Sequence, residues 1–304
     1  MNFVITGGAG HISKPLAETL LKAGHQVTVI GRNASNLSSL SSLGAKTAIG
    51  SVEDETFLTR AFAGADAVYT MVPPPSFGVA DWKLFIGSVG SNYAKAIAAN
   101  GIRYVVNLSS VGAHMADGCG PVSGLYRVEQ TLNELSGTHI LHLRPGFFYT
   151  NFLSSLGMIK SLGFMGGNYG GTAVKMAMVE PSDIARVAAE ELLSLSFSGH
   201  SVKYVASDEK TIQETVKILG SAIGKPDLRW VVFSDEEALQ GMLQAGLPAE
   251  IARNYAEMQH SIATGEMYAD YFHHHPVRLQ QTKLDDFGRV FAAAYLGMET
   301  AAAN

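Results

Sequence analysis

The first sixteen residues place a short apolar run directly before a glycine-rich turn and a helical pattern. Phe3–Ile5 is typical of a buried strand, and Ile12 and Leu16 recur at the spacing of one helix face. Gly7 allows a tight turn, and Gly10 lets an anion approach the backbone because it carries no side chain. The N–H groups at the start of a helix attract negative charge, so this stretch predicts a phosphate-binding turn.

The small residues of the turn follow the spacing Gly7-x-x-Gly10-x-x-Ser13. This differs from the G-x-G-x-x-G of many dehydrogenases, but serine is small enough for the helix to pack closely on the strand. The alternative is an ordinary strand–turn–helix that binds nothing. Because the turn begins a βαβ unit at the N-terminus, we expect a dinucleotide site. The residues expected to contact the dinucleotide here are Gly7, Gly8, Ala9, Gly10, His11 and Ile12.

Composition narrows the class of protein. The chain has 304 residues, of which 47% are hydrophobic and 16% charged, enough for one large α/β domain or a domain with a smaller lobe. The net charge of −5 argues against direct nucleic-acid binding or an anionic-membrane surface. A single cysteine, Cys119, excludes an internal disulfide and fits a reducing compartment. The N-terminus lacks a signal-peptide pattern, and no apolar run reaches about 18 residues, so we expect a cytoplasmic protein without a membrane span.

The end of the second predicted strand indicates which dinucleotide is bound. Val27–Ile30 reads as this strand, and Gly31 stands where an NAD-preferring domain carries an acid. Arg32 and Asn33 follow. A guanidinium can bind a 2′-phosphate that an acid would repel, so we predict NADP(H) in preference to NAD(H), with Arg32 and Asn33 at the phosphate. The alternative is that Arg32 is a solvated surface arginine.

Further strand–helix repeats predict a parallel, doubly wound sheet with right-handed crossovers. Strands are expected over Ala45–Ile49, Asp66–Val72, Ile102–Leu108 and Ile140–Leu143. Ligands of such sheets bind beyond the carboxyl ends of the strands. The additional cofactor contacts expected at these ends are Ser51, Val52, Val72, Pro73, Pro74 and Ser109.

The fold class expected from this pattern is a Rossmann-type doubly wound α/β sheet with a smaller C-terminal α/β lobe. We place the dinucleotide-binding domain at residues 1–150 and the substrate or lid lobe at residues 151–304, with the helix at 181–195 packing back on the first domain. Ser154–Thr172 is rich in glycine and lacks clear periodicity, which predicts a loop or lid over the cleft.

Six segments in order resemble the NmrA-like family of atypical short-chain dehydrogenases/reductases. They are Thr6–Gly10, Gly31–Asn33, the Arg144-Pro145-Gly146 stretch with Phe147, Phe148 and Asn151, Asp183–Ala185, Gly224–Pro226 with Ser234–Glu237, and Leu284–Phe287. This family includes NADPH-dependent quinone and triphenylmethane reductases, isoflavone-type reductases and non-enzymatic NADP sensors. The resemblance implies an NADP(H)-binding protein, without specifying an activity.

The proton-transfer pair of the wider superfamily is broken in this chain. Standard members use Tyr-x-x-x-Lys with a serine, and the lysine lowers the pKa of the tyrosine. The nearest match is Tyr126 with Gln130 in the lysine position, while alignment on Glu129 puts Pro121 and Leu125 in the two positions. The catalytic candidates are therefore Tyr126 and Ser110, with Ser109 as plausible in the serine position.

Three functions remain open at this stage. An NADPH-dependent reductase of a quinone-like or conjugated carbonyl compound needs mainly an aligned nicotinamide and a flat apolar pocket. A non-catalytic sensor would bind NADP(H) and act through a regulatory protein partner or a homo-oligomer. An alcohol dehydrogenase or epimerase using Tyr126 is least favoured, because the lysine is missing. The residues expected at a small-molecule substrate are Phe147, Phe148, Tyr149 and Asn151. The alternative is that the aromatic residues belong to the core, which is the favoured interpretation for Phe147.

Other polar residues are interpreted as structural. Adjacent side chains such as His273, His274 and His275 do not converge on one metal ion, so we expect a surface turn and no metal site. His139 and His142 flank a buried strand, and Cys119 has no partner motif for nucleophilic chemistry. Arg144 is expected to anchor the C-terminal lobe to the sheet, with substrate contact as the alternative.

Overall fold

A computed structural model describes residues 1–75, 78–170 and 174–302. The strands in these ranges are β1 (Asn2–Ile5), β2 (Gln26–Gly31), β3 (Lys46–Ile49), β4 (Ala67–Thr70), β5 (Tyr104–Leu108), β6 (His139–Pro145), β7 (Phe147–Phe148), β8 (Met165–Gly167), β9 (Met176–Val179), β10 (His200–Val205), β11 (Asp208–Lys210) and β12 (Trp230–Val232). The helices are α1 (Ser13–Lys22), α2 (Ser38–Ser42), α3 (Glu55–Ala61), α4 (Trp82–Asn100), α5 (Pro121–Asn133), α6 (Leu156–Leu162), α7 (Pro181–Ser194), α8 (Ile212–Ala222), α9 (Asp235–Gln244), α10 (Ala249–Thr264), α11 (Glu266–His273) and α12 (Leu284–Ala302).

The central element is a seven-stranded parallel sheet with the order β10-β6-β5-β4-β1-β2-β3. The chain runs from β1 outward to β3 and then crosses to the other side of β1 with β4. This reversal opens a crevice beyond the carboxyl ends of β1 and β4, where doubly wound sheets bind ligands. The predicted Rossmann-type fold class is confirmed.

Helices cover both faces of the sheet because successive side chains of a strand point to opposite faces, and both sets are apolar here. Val4 packs with residues of α3, α4 and α5, whereas Phe3 and Ile5 pack with α1 and α7. A further cluster holds the lobe built from α6, α8, α10, α11 and α12. The seventh strand, β10, comes from beyond residue 150, while the division of the chain at that residue stays a prediction.

Local signals account for several helix ends. Asp81 accepts a hydrogen bond from the Leu84 N–H at the start of α4, and Gly101 ends that helix at a φ of +60°. Thr211 and Glu214 form a reciprocal capping box at α8. These short-range contacts explain why such boundaries could be predicted from the sequence.

The predicted loop over Ser154–Thr172 is wrong for most of its length. A 3₁₀ segment runs through Ser155, followed by α6 and β8, while residues 171 and 172 lie outside the described residues. The reason is a distant partner: Met165 in β8 pairs in parallel with Trp230 in β12. This pairing satisfies the backbone of a glycine-rich segment that shows no local periodicity.

In the described ranges, no helix combines the length and the hydropathy needed to cross a membrane. The same ranges contain no group of three or more metal-ligating side chains placed to hold an ion. His274 and His275 face different carboxylates, with Nδ1 of His274 3.7 Å from Asp270 and Nε2 of His275 3.1 Å from Glu209.

His142 is a core histidine on β6. Its Nδ1 lies 3.1 Å from the Asn107 amide and its Nε2 lies 3.0 Å from Oδ1 of Asn133. Burial is the largest cause that lowers its pKa from 6.5 to about 4; the charge of Arg144 lowers the pKa further, whereas the charge of Glu129 raises it.

This shift predicts a pH dependence of stability. Above pH 6.5 the ring is neutral in both states, whereas between pH 6.5 and 4 the unfolded chain binds the proton first. The free energy of unfolding should therefore fall across this window by about 3 kcal/mol. Urea denaturation at a series of pH values should show a shallower fall for His142→Gln than for the wild type. His139→Gln, on the same strand, is the matched control, and identical pH slopes for wild type and His142→Gln would contradict the assignment.

Candidate functional site

A cavity of about 930 Å³ lies along the carboxyl ends of the central strands. Its walls come from the turn after β1, the ends of β2, β3 and β4, and the segment after β6. Its lining includes Gly7–Ser13, Arg32, Asn33, Ser51, Val52, Pro73, Pro74, Leu108, Phe148, Thr150 and Pro181. The sheet therefore brings most of the predicted cofactor residues together in one groove.

The glycine turn is shaped as a cradle. Gly7 has a φ of +92°, and a Cβ there would lie 2.4 Å from Oγ of Ser13. The Ser13 hydroxyl in turn donates to the Thr6 carbonyl at 2.8 Å, which ties the start of α1 to β1. A small residue at position 13 therefore allows α1 to pack closely on β1, as the spacing of the turn predicts.

Backbone donors in this cradle are free to receive an anion. α1 begins after Ile12 without a side-chain cap and without an acid in its first turn. Within the described residues, the N–H groups of Ala9, His11 and Ile12 have no hydrogen-bond acceptor. Unsatisfied amides at a helix start, together with the helix dipole, favour a phosphate at this place.

Arg32 extends the cradle at the end of β2. Its side chain is exposed, lines the groove, and forms no ion pair with any described residue. Oδ1 of Asn33 accepts hydrogen bonds from the Ser35 N–H at 2.9 Å and the Ser35 hydroxyl at 2.8 Å, so Asn33 shapes the turn beside the guanidinium. No carboxylate follows β2 to repel a phosphate.

Ser51, Val52 and the prolines after β4 form the next stretch of wall. The Ser51 hydroxyl lies 3.3 Å from Glu53 Oε1, and the Asn92 amide donates to the Val52 and Glu53 carbonyls. Val72, predicted at the cofactor, is not among the groove lining residues and packs, partly buried, against the core cluster that includes Val4.

Sequence reasoning missed several residues of the groove. They are Asn36, Leu37, Glu53, Met71, Phe85, Leu108, Thr150 and Pro181. Met71 and Leu108 stand at strand ends, a signal that could have found them. Pro181 lies at the groove because β9 precedes it, and no local sequence pattern predicts that β9 lies there.

The four predicted substrate residues separate in the structure. Phe148 lines the groove, whereas Phe147 packs against the core of the lobe beside Phe152 and Tyr169. Tyr149 has no exposed surface, and its hydroxyl donates to Asp208 at 2.7 Å. This buried ring with its bonded hydroxyl therefore lies outside the groove lining in this structure. Asn151 is exposed and lies outside the groove lining.

The two serines after β5 have different surroundings. Ser109, predicted at the cofactor, is buried outside the groove lining, and its hydroxyl donates to Glu129 at 2.5 Å. The Ser110 hydroxyl donates to the Val111 carbonyl at 2.8 Å and stays partly exposed. Tyr126 lies half-buried on α5, where its hydroxyl has no hydrogen-bond partner in the described part of the chain.

Arg144 joins three elements at the end of β6. Its guanidinium binds both carboxylate oxygens of Glu129, with Nε–Oε1 at 3.0 Å and Nη2–Oε2 at 2.6 Å. It also donates to Tyr204 at 3.1 Å and to Asp270 at 2.9 Å, and Tyr204 donates to Asp270 as well. Arg144 thus connects the sheet and α5 to α11 of the lobe, as expected of an anchor.

Cys119 is placed for packing, not for nucleophilic chemistry. It has no exposed surface, and its Sγ lies 3.3 Å from Oγ of Ser261. Burial raises the pKa of this thiol to about 11, so the reactive thiolate is disfavoured at neutral pH.

A doubly wound sheet with an anion cradle at its topological switch point defines a dinucleotide-binding class of α/β protein. The chain belongs to the NmrA-like family, which it matches over residues 2–294.

Individual relatives agree with this assignment. A (4-alkanoyl-5-oxo-2,5-dihydrofuran-3-yl)methyl phosphate reductase of Streptomyces griseus is 26% identical over 262 residues, 86% of this chain and 87% of that protein. The NADPH-bound NADPH-dependent quinone oxidoreductase of Escherichia coli superposes with a TM-score of 0.78 at 21% identity, covering 98% of this chain and 99% of its own. The Citrobacter triphenylmethane reductase with NADP(H) gives 0.77 at 22% identity, covering 96% and 100%.

Proposed function

We propose that the protein is an NADP(H)-dependent oxidoreductase that reduces a quinone-like or conjugated carbonyl small molecule. The observation that carries this proposal is a single groove in which, among the described residues, helix-start amides have no acceptor and Arg32 has no ion-pair partner. A dinucleotide with a 2′-phosphate requires both features, and the groove has the size of a cofactor site.

The residues of the groove fit NADP(H) from one end to the other. The amides of Ala9, His11 and Ile12 hold the diphosphate, and Arg32 holds the 2′-phosphate. Ser51 and Val52 lie at the adenine, while Leu108 and Phe148 form the wall at the opposite end. NADPH, when bound, would supply a hydride. Leu108 and Phe148 would orient the nicotinamide ring and exclude water from it.

The acceptor is proposed to be flat and conjugated because the acid–base pair of standard relatives is missing. Pro121 and Leu125 carry no ionisable group, and Gln130 carries no charge beside Tyr126. Hydride transfer to a conjugated acceptor depends less on a proton donor in the protein than carbonyl reduction does, because water can deliver the proton. Tyr126 and Ser110 remain the proposed catalytic side chains. The reductase relative from Streptomyces griseus, whose name describes a conjugated lactone ring, supports this class of acceptor.

The same broken pair favours a second candidate function. A protein that binds NADP(H) without turnover would be a redox sensor acting through a protein partner. For this second function we predict a cytoplasmic location. We also predict either a homo-oligomer or a regulatory protein partner.

Oxidation of NADPH, followed at 340 nm, tests the proposal directly. The panel contains benzoquinones, naphthoquinones, an unsaturated ketone and an unsaturated lactone. We expect turnover with at least one of them and much slower turnover with NADH. Calorimetric titration with NADPH is run in parallel. Tight binding without any turnover would support the sensor, and the lack of any binding would overturn both functions.

A further inference from the structure

His11 places an ionisable side chain inside the glycine cradle. It lines the groove together with Gly7 and Gly10, two residues before the first residue of α1. The side chain of Ile12 packs into the core, and the hydroxyl of Ser13 is buried against β1. His11 is exposed between these inward-facing neighbours, so its imidazole belongs to the wall of the groove and not to the core.

This imidazole has no partner within the described part of the chain. Neither ring nitrogen of His11 forms a hydrogen bond or an ion pair, and no aromatic ring packs against it. The backbone N–H groups of His11 and Ile12 also lack an acceptor there. The side chain and the amides beside it are therefore free to donate to the same ligand.

The charges around His11 come from a few neighbouring elements. The charged side chains on α1 and on the elements that contact it are Lys14, Glu18 and Lys22 of α1, and Glu180, Asp183, Arg186, Glu190 and Glu191 at the start of α7 and along it. Arg32 after β2 and Glu53 after β3 share the groove with His11. None of these groups forms an ion pair with the imidazole, so a bound anion would be its partner.

The diphosphate is the part of NADP(H) that reaches His11 in the proposed binding mode. The amides at the start of α1 attract it, while Arg32 binds the 2′-phosphate at the end of β2. The cradle is joined to that strand end, because the Gly8 N–H donates to the Ile30 carbonyl at 2.9 Å. The diphosphate of a dinucleotide stays ionised across the physiological pH range, whereas a histidine gains its positive charge between about pH 8 and 5. The attraction between the two should therefore increase as the pH falls.

We propose that the imidazolium of His11 binds the diphosphate of NADP(H), so that the cofactor is bound more tightly at acidic than at alkaline pH. The protonated ring donates a charge-assisted hydrogen bond to a phosphate oxygen, which is about twice as strong as the bond from a neutral ring. Binding of the cofactor is thereby coupled to uptake of a proton by His11. The inference rests on the proposed NADP(H) function and deepens it by assigning a pH-dependent contact to the diphosphate.

Two ligands separate this contact from that of Arg32. NADP⁺ carries both the 2′-phosphate and the diphosphate, whereas adenosine 2′-phosphate lacks the diphosphate. The 2′-phosphate itself takes up a proton near pH 6, but the ratio of the two dissociation constants cancels this effect because both ligands share that group. Calorimetry of the wild type should show that the ratio favours NADP⁺ about tenfold more at about pH 5.5 than at about pH 8.5, as expected for one hydrogen bond to a charged group.

Three variants test whether His11 causes this pH dependence. His11→Gln keeps a donor without the charge, so its ratio should change less than about twofold between the two pH values. His11→Lys is charged at both, so its ratio should favour NADP⁺ equally at both. His200→Gln, an exposed change on the edge strand β10, is the matched control and should keep the pH dependence of the wild type.

A wild-type ratio that does not change with pH, or an equal change in His11→Gln, would overturn the contact. A ratio at about pH 8.5 that favours NADP⁺ no more in His11→Lys than in His11→Gln would contradict it as well. Failure of the wild type to bind either ligand would instead refute the NADP(H) function itself.

Discussion

Replacing Arg32 with alanine is expected to weaken NADPH binding by ten- to a hundredfold while changing NADH binding by less than about threefold. A charge-assisted hydrogen bond to a phosphate contributes about 1.5–3 kcal/mol, and each 1.4 kcal/mol is a factor of ten. The guanidinium has no ion-pair partner in the described part of the chain, so its removal leaves no protein charge uncompensated. The loss should therefore fall on the ligand alone.

The measurement is a calorimetric titration of wild type and variant with both dinucleotides at fixed ionic strength, because salt screens an exposed charge. Arg60→Ala, at an exposed position on α3, is the matched control. Equal losses for NADPH and NADH would show that Arg32 supports the groove in general and does not read the 2′-phosphate.

The glycine turn and the strands around it could be predicted because their signals are local. Gly7 needs a positive φ, Ser13 needs to be small, and Arg32 follows its strand directly, so spacing along the chain determines where each residue lies. The parallel strands bring these segments to one edge by topology. The part of the groove between Gly7 and Arg32 therefore followed from the sequence.

The far end of the groove depends on contacts between distant segments. The run Phe147, Phe148 and Tyr149 looks uniform in sequence, yet successive side chains along an extended chain face opposite sides. β7 pairs with β9, and Asp208 receives the Tyr149 hydroxyl, so only Phe148 reaches the groove. Ser109 likewise turns inward because Glu129, twenty residues later, accepts its hydroxyl. Neither a hydrophobic period nor a sequence motif indicates such contacts between distant segments.

The role of Arg144 as an anchor follows from its contacts with Glu129 on α5 and Asp270 on α11. Replacing it with methionine, which keeps most of the side-chain volume, is expected to lower the free energy of unfolding by about 3–5 kcal/mol. The change leaves the Glu129 carboxylate, whose side chain is only 2% exposed, without its bidentate partner. It also removes the bond from β6 to Asp270 on α11, so the lobe loses an anchor.

Urea denaturation of wild type, Arg144→Met and the double variant Arg144→Met/Glu129→Leu separates the two costs. Most of the penalty comes from an unpaired buried charge, so the double variant should be more stable than Arg144→Met alone. Arg289→Met is the matched control, because that arginine pairs with Asp286 at the surface with 83% of its side chain exposed, and it should leave the urea midpoint unchanged. If Arg144→Met unfolds at the wild-type midpoint, the network does not hold the lobe to the sheet. If the double variant is less stable than the single one, Glu129 contributes through Ser109 and α5, independently of the guanidinium.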